Sequence, residues 1–522
     1  MRTVFERSIK KDFFPDEIGD YELITLWLES PKTFDENNNP LFKQYVLDLI
    51  YTNFSIYEDL YSNCLSGTLS ILDANHLLSD FPIIGEETVQ LAFRSMNTKI
   101  AIQLRMRVVG ISEIERVNEN TNLYTLFLTS EIGIKNLKQK ISRSFHSGSL
   151  SNIVETICEK YLGLTNEKFI PITKKGEYYI KEKSVASNYF SIETDTGHIE
   201  KYVAPSYTPF RIINKLCKRS VSATGSLFFF FQDINRFRFV SLEDIFKNKK
   251  SKENIKTLVY LPKDTLDKDS TSPWNIVYDY KIIKRFDVIK NMNRGMYSSE
   301  ITFVDLEKRK VETKQYYYQD DAKKYYHINN DKYLLTTNNS DITHNVETER
   351  PSTVNELVIF HSGDYESQDY SDHRKEMYQR RMSMQAQLDS LVIQVEIAGD
   401  SSGSINVGDL VYFYMPRGQR KEGDLYLTGR YLVTRIHHSV DISEKYKIIL
   451  EMITDTISTS YRIDEADPRS GIAIKSEPRD IFLEMDNDVV STSILSSEIV
   501  NVINEESRKR KLEIHFNSYL ND

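Results

Sequence analysis

Alternation of apolar and polar residues with a period of two dominates the later part of the chain. LVIQVEIAG sets Leu391, Ile393, Val395 and Ile397 on one face, and KYKIILEMITDT alternates Tyr446, Ile448, Leu450 and Met452 against Lys447 and Glu451. Between them SINVGDLVYFYMP leads from a loop into a second strand, and GRYLVTRIHHSVD forms a third. A polar, helix-favouring run, DHRKEMYQRRMSMQAQLDSL, comes before them. Alternation repeated this often predicts an antiparallel sheet closed on a core, with one helix beside it.

A similar pattern fills 21–130. ELITLWLES and NLYTLFLTS bound this block, and at least three strand-like pieces lie between Phe54 and Ser95. The clearest strand is KIAIQLRMRVV, where Ile100, Ile102, Leu104, Met106 and Val108 alternate with Ala101, Gln103, Arg105 and Arg107. That spacing predicts one buried and one wet face. Between the two β blocks the period changes. In SLSNIVETICEKYLGL, Ile153, Val154, Ile157, Cys158 and Leu162 recur at helical spacing, with Ser149 or Ser151 able to cap the start. YTPFRIINKLCKR reads as a second helix, capped by Thr208, with Pro209 in its first turn and Phe210, Ile213 and Cys217 as its apolar stripe. LFFFFQDINRFRFVSLEDIF reads as two aromatic strands about a turn at Asp233, Ile234 and Asn235.

The expected fold class is therefore α+β, mainly β. Residues 1–20 form an N-terminal arm, 21–130 the first β domain and 131–240 a mixed α/β domain. A strand and linker, 241–272, belongs partly to the second β domain, whose main part is 371–456. A polar insertion spans 273–370, and a polar tail, 457–522, carries an amphipathic stretch, SSEIVNVINEESRKRK. No fixed-period repeat is present.

Composition narrows the function more than the fold. Aromatic residues are 11% of the chain, with 32 Tyr and 26 Phe, which suits β structure and aromatic interfaces. The formal charge is −9 and no long basic run occurs, which argues against a tight, sequence-specific DNA binder. Cys64, Cys158 and Cys217 are too far apart for a metal motif, and their odd number fits no disulfide framework; Cys158 and Cys217 lie among apolar residues on helix-like stretches, so they are expected as buried thiols, and the chain reads as made in a reducing cytosol. No stretch approaches a membrane span and no signal-peptide pattern is seen, so no membrane association is expected.

Candidates for chemistry are few. His437 and His438 adjoin on a strand and point to opposite faces, which suits packed or hydrogen-bonded sheet residues better than one metal site. HSGDYESQDYSDH gathers His361, Asp364, Glu366, Asp369, Asp372 and His373, but at neither EF-hand nor zinc spacing, and reads as a solvated loop. Asp73–His76 reads as a turn between strands. Gly399–Ser404, GDSSGS, matches G-x-S-x-G with Ser401 at the nucleophile position. A strand rather than a helix follows it, so it reads as a loop between strands. Phe228–Phe231 could serve as a base-stacking platform, but no basic residue interleaves them before Arg236, so a buried strand with one face at an interface is expected. No catalytic, cofactor-binding or metal residue is assigned, and no cofactor is implied.

Four stretches, in order, carry a family resemblance: SGTLSILDANHLLSDFPIIGEETVQLAF, ISRSFHSGSLSNIVETICEKYLG, PFRIINKLCKRSVSATGSLFFFFQDINRFRFVSLEDI, and the block of helix, strand, INVGDLVYFYMP, YLVTRIHHSVD and KYKIILEMITD. Over roughly 20–456 the chain resembles the central baseplate hub protein of contractile-tailed bacteriophages of the T-even type. The resemblance implies two tail-tube-like β domains per chain and a homotrimeric ring adapting the hexameric tail tube to the trimeric central spike. It implies a structural, non-enzymatic virion protein contacting tube, spike and other baseplate proteins, with DNA passing the bore without specific binding. The insertion at 273–370 and the tail depart from the family pattern. Rival expectations are the hub of another contractile injection device, a baseplate-associated cell-wall hydrolase with its active part in the insertion, and a carbohydrate- or receptor-binding module.

Overall fold

A computed structural model describes residues 19–456 apart from 32, 35–39, 82, 146–147, 167–171, 176–177, 182–188, 197–200, 249–254, 262–272, 307, 322–323, 330–354, 361–371, 390, 417–423, 425 and 443–444. The expected amphipathic stretch of the tail and most of the expected N-terminal arm lie outside the described residues. The fold is α+β and mainly β.

The strands of the main sheet are β1 (Tyr21–Glu29), β2 (Gln44–Val46), β3 (Tyr51–Asp59), β4 (Ser66–Asp73), β5 (Thr88–Ser95), β6 (Ile100–Ile111), β7 (Thr121–Ser130), β8 (Lys256–Tyr260), β9 (Ile276–Lys284), β10 (Leu391–Ala398), β11 (Leu410–Tyr414), β12 (Gly429–Asp441) and β13 (Tyr446–Thr454). They run in the order β11-β8-β9-β10-β13-β12-β3-β4-β7-β6-β5-β1-β2, and β11 also pairs with β12. That extra pairing closes six strands, β8 to β13, into a barrel. The alternation read from sequence is what the barrel uses. Leu391, Ile393, Val395 and Ile397 are buried, as are Tyr446, Ile448, Leu450 and Met452. β9 lies within the stretch read as a polar insertion, yet it stands between β8 and β10.

β12 belongs to both blocks. Its first residues pair with β11, ending at Leu410↔Leu432. From Arg435↔Asp59 to Asp441↔Asn53 it pairs instead with β3 of the first block. The change of partner falls at Thr434, where the register against β13 shifts between Val433 and Arg435. An extra residue bends a strand and increases its twist, which re-aims the second half of β12. The Thr434 carbonyl, freed from the ladder, accepts from the Leu60 amide at 2.9 Å.

One continuous apolar core runs from Leu26 in β1 through Phe54 and Phe93 to Tyr446 and Ile453 in the barrel. Phe93 bridges the blocks, with its ring 5.1 Å from Phe54 and 5.3 Å from Tyr446. Edge-on ring pairs of this kind add roughly 0.5–1.5 kcal/mol each beyond area burial.

A second core holds the middle of the chain. Its helices are α1 (Glu131–Lys138), α2 (Leu150–Ile157, continued by a π turn) and α3 (Pro209–Arg219). Ser149 caps α2 by accepting from the Asn152 amide, as its position predicts. α3 departs from expectation. Thr208 makes no side-chain cap, and Asn136 of α1 accepts from the Phe210 amide at 2.7 Å instead. A tertiary partner has taken over a local role, tying α1 to α3.

The last helix among the described residues, α4 (Asp372–Leu388), covers a three-stranded sheet made by Ser298–Asp305, Lys310–Tyr317 and Asn355–Phe360. No helix among the described residues is long and apolar enough to cross a membrane.

Gly399 sits where the core admits no side chain. A Cβ there would lie 2.1 Å from the Tyr446 ring. Gly399→Ala is expected to lower the urea-unfolding free energy by about 1–3 kcal/mol through overpacking. An unchanged midpoint would mean that the Tyr446 ring yields freely.

Candidate functional site

One group of buried ionisable side chains lies where β12 meets β3, and the parity of β3 explains why. Phe54, Ile56 and Glu58 share one face of that strand, so Glu58 is carried inward with its apolar neighbours and is 2% exposed. His438 stands opposite Ile56 on β12, 3% exposed, and reaches Glu58 diagonally across the pair. The Glu58 carboxylate takes His438 Nε2 at 2.9 Å and the Ile234 amide at 2.8 Å. A carboxylate accepts, so Nε2 carries the proton. The other ring nitrogen, Nδ1, lies 2.7 Å from the Tyr446 hydroxyl. One carboxylate thus joins the first block, the barrel and the turn at Asp233–Arg236. Burying the pair costs desolvation, but once buried neither partner can be removed cheaply.

His437, one residue earlier, faces the other side of the sheet. It stacks on Tyr57 with ring centroids 4.5 Å apart, and its Nε2 lies 3.0 Å from the Ser55 hydroxyl. The two histidines are therefore separate sheet residues, as their adjacency predicts. Burial first, and then the charge of His438, push His437 down to about 4. On the turn, Asp233 accepts from the Asn235 and Arg236 amides, each at 2.7 Å. Burial pushes Asp233 up to about 6 against the pull of Arg238, with Glu58 adding to the rise. Arg238 itself is buried and grips Glu193 through two bonds of 2.7 and 2.9 Å.

A second tie between the blocks is the 399–404 loop. Ser401 is 2% exposed. Its hydroxyl donates to the Ile100 carbonyl at 2.7 Å and accepts from the Ser95 amide at 3.0 Å. The Ser95 hydroxyl in turn accepts from the Ser401 amide at 2.9 Å. The hydroxyl that matched a nucleophile motif is thus engaged at the edge of the first block, and no helix follows it. Asp400 binds the Ser402 amide, the Ser404 hydroxyl and Lys256, which fastens the loop to β8.

α4 supplies a third set of ties. Arg381 donates to the carbonyls of Lys218 and Ser220, at the C-terminal end of α3, and to that of Ser226 beyond it. Arg380 forms a two-pronged bond with Asp321 at 2.9 and 3.0 Å. Below them, His327 pairs with Asp455 at 2.7 Å, both deeply buried beside the end of β13.

Asp73 accepts from the Asn75 and Leu77 amides and forms the expected turn, with His76 in the left-handed region at φ 57°. Phe228, Phe230 and Phe231 are buried, and Phe230 stacks on Phe237 at 5.6 Å. Cys158 and Cys217 are buried, and burial raises both thiols, Cys217 to about 12. Of the His361–His373 set, 361–371 lie outside the described residues, and Asp372 and His373 are the first residues of α4. Among the described residues no group of three or more His, Cys, Asp or Glu is arranged to hold a metal ion. Glu58 carried a readable signal, a charge at an apolar parity position. Asp400, Arg381 and Asp455 carried none.

No family model matches the chain, and no curated protein matches its sequence. The chain is similar to a 43 kDa tail protein of prophage MuSo2 from Shewanella oneidensis, at 11% identity and TM-score 0.46, over 83% of this chain and 98% of that one. It is similar to a tail protein from Neisseria meningitidis MC58, at 8% identity and TM-score 0.47, over 84% and 97%. It is also similar to an E. coli component of the type VI secretion system described as structurally similar to T4 bacteriophage tail proteins, at 8% identity and TM-score 0.37, over 80% and 76%. These are likenesses of chain layout alone.

Two measurements test the seam. Glu58→Ala strands His438 and the Ile234 amide and is expected to cost about 3–5 kcal/mol in urea unfolding. In a His438→Ala background the same change is expected to cost much less; equal costs would show that the two residues are not coupled. The second is pH. His437 is near 4 folded and 6.5 unfolded. Between those values the unfolded chain binds more protons, so its contribution is present above 6.5 and is lost as pH falls towards 4. Asp233 is near 6 folded and 3.8 unfolded, so its contribution is present below 3.8 and is lost as pH rises through 6. Between pH 4 and 6, His437→Gln is expected to make the slope of stability against pH less positive than wild type, and Asp233→Asn more positive. Parallel curves for all three proteins would remove both assignments.

Proposed function

We propose that this chain is the structural hub of a contractile-tail baseplate. In this reading three copies close head to tail into a ring, with heterologous contacts between neighbours. Each copy contributes two β domains, 21–130 and a second built from part of 241–272, Ile276–Lys284 and 371–456. Three chains then present six β domains to the hexameric tail tube and three-fold symmetry to the central spike. The mixed α/β part and the rest of the insertion face other baseplate proteins, and DNA passes the bore without specific binding. The protein's place is the virion tail, and its role is mechanical rather than enzymatic.

The observation that carries this reading is the sharing of β12 between a closed barrel and the first β block. A subunit that supplies two of six ring positions needs them at a fixed spacing, and a shared strand sealed by Glu58, His438 and Ser401 holds them so. The order of the four sequence stretches supports the same reading, and the negative formal charge of −9 suits a conduit that must not retain DNA.

Light scattering on the purified chain is expected to give a particle of three 61.0 kDa subunits with a central hole by electron microscopy. A monomer that stays monomeric when mixed with the candidate spike and tube proteins would overturn the reading. A clearing band on a peptidoglycan gel would favour the hydrolase instead.

A further inference from the structure

The middle of the chain carries a concentration of positive charge that the hub reading does not use. Residues 131–145 and 201–219 hold nine Lys or Arg and one acidic residue, +8 within a chain whose total is −9. The fold brings the two stretches together. The strand Ile141–Phe145 pairs with Tyr202–Tyr207, and Asn136 of α1 caps the start of α3. On α3 the apolar residues face the core, which leaves Arg211, Lys215 and Lys218 on the outer side.

Three features separate this face from an ordinary solvated surface. First, Arg211 and Lys215 crowd one ring: the guanidinium lies 4.3 Å and the ammonium 4.1 Å from the centre of Tyr207. Like charges one helical turn apart repel, and no described carboxylate lies in ion-pair range of Arg211, Lys215 or Lys218 to relieve them. Second, Lys218 is not needed to neutralise the C-terminal end of α3, because Arg381 already binds the carbonyls of Lys218 and Ser220. Third, the patch is not purely polar. Leu137, at the end of α1, is 50% exposed, and Tyr207 is half-buried beside Lys215.

We infer that this face is a docking surface for an acidic protein segment, a run of carboxylates with apolar residues among them. Charge complementarity sets the sign of the partner. The aromatic rings decide its class. Tyr207 is covered by Arg211 and Lys215, and Phe145 by Arg143 at 5.6 Å, so these rings hold cations in place rather than stand open for stacked bases. Half-held cations lose less freedom on binding than free ones, and Leu137 supplies the apolar anchor that an acidic peptide can use and a phosphate backbone cannot. This surface lies on the middle of the chain and stands whether or not three copies close into a ring.

The test is fluorescence anisotropy of a labelled peptide of alternating Glu and Leu with the full-length protein, at low and raised salt. Binding is expected at low salt and is expected to weaken about ten-fold or more as salt screens the contacts. The Arg211→Gln/Lys215→Gln/Lys218→Gln protein is expected to lose about ten-fold in affinity at low salt with an unchanged thermal midpoint. A control, Lys308→Gln/Lys310→Gln/Lys314→Gln on the insertion sheet, removes as many charges elsewhere and is expected to bind as wild type. No binding by the wild type, or an equal loss in the control, would overturn the inference. Tighter binding of a DNA duplex than of the peptide, lost in the α3 variant, would overturn it in favour of nucleic acid. If the triple variant is destabilised, Arg211→Gln alone replaces it, with a smaller loss expected and no loss counting against the surface.

Discussion

Everything in this chain depends on one antiparallel pairing, between β12 and β3. It is the seam at which residues from opposite ends of the described chain become one sheet. Backbone hydrogen bonds make the pairing, but many registers would satisfy the backbone alone. The Glu58–His438 contact selects among them. A shift by one residue would turn His438 to the other face and leave Glu58 buried without its ring partner. The desolvation cost of the pair is therefore exchanged for uniqueness of register.

The same logic recurs in α4. A helix packed between a sheet and the rest of the fold would ordinarily offer an apolar stripe. Here Lys375, Gln379, Arg380, Ser383 and Gln387 are all buried. Gln379 donates to the carbonyls of Ser299 and Lys314, Ser383 to Met296, and Gln387 to the Tyr325 hydroxyl. Apolar packing tolerates sliding by a fraction of a turn, whereas a row of directed bonds does not. α4 thus fixes the three-stranded sheet of the insertion and the C-terminal end of α3 against each other.

Alternation made the sheet legible wherever one face was wet: β6, β10 and β13 were plain in the sequence. β9 was not, because its partners are a parallel strand and an antiparallel one, and Asp279, Lys281 and Lys284 interrupt its apolar residues. The helices were visible as elements, but their caps and buried faces were settled by distant residues. Asn136 replaced Thr208 as a cap, and on α4 polar side chains share the packing face with Met377, Met384 and Leu388. At the seam, His438 and Ser401 drew notice by residue type. Their partners Glu58 and Ser95 stand 380 and 306 residues away, so local patterning could not join them. Glu58 falls on the buried face of β3 with Phe54 and Ile56, as His438 falls on that of β12 with Ile436 and Val440, and a polar residue at an apolar parity position is what such a buried contact leaves in a sequence.

The seam also sets a timetable. Asp59 and Arg435 are separated by 376 residues, so a ribosome that has released β3 must work for roughly 20–75 s before β12 emerges. For that interval Phe54, Ile56 and Glu58 line an unpaired edge, the kind of edge that recruits any free strand nearby. The strand it awaits is present on every copy whose synthesis has passed Asp441. In a cell making many copies at once, β12 of one chain can complete the first block of another, so the choice between a self-sufficient subunit and an interchanged pair is made by kinetics during synthesis.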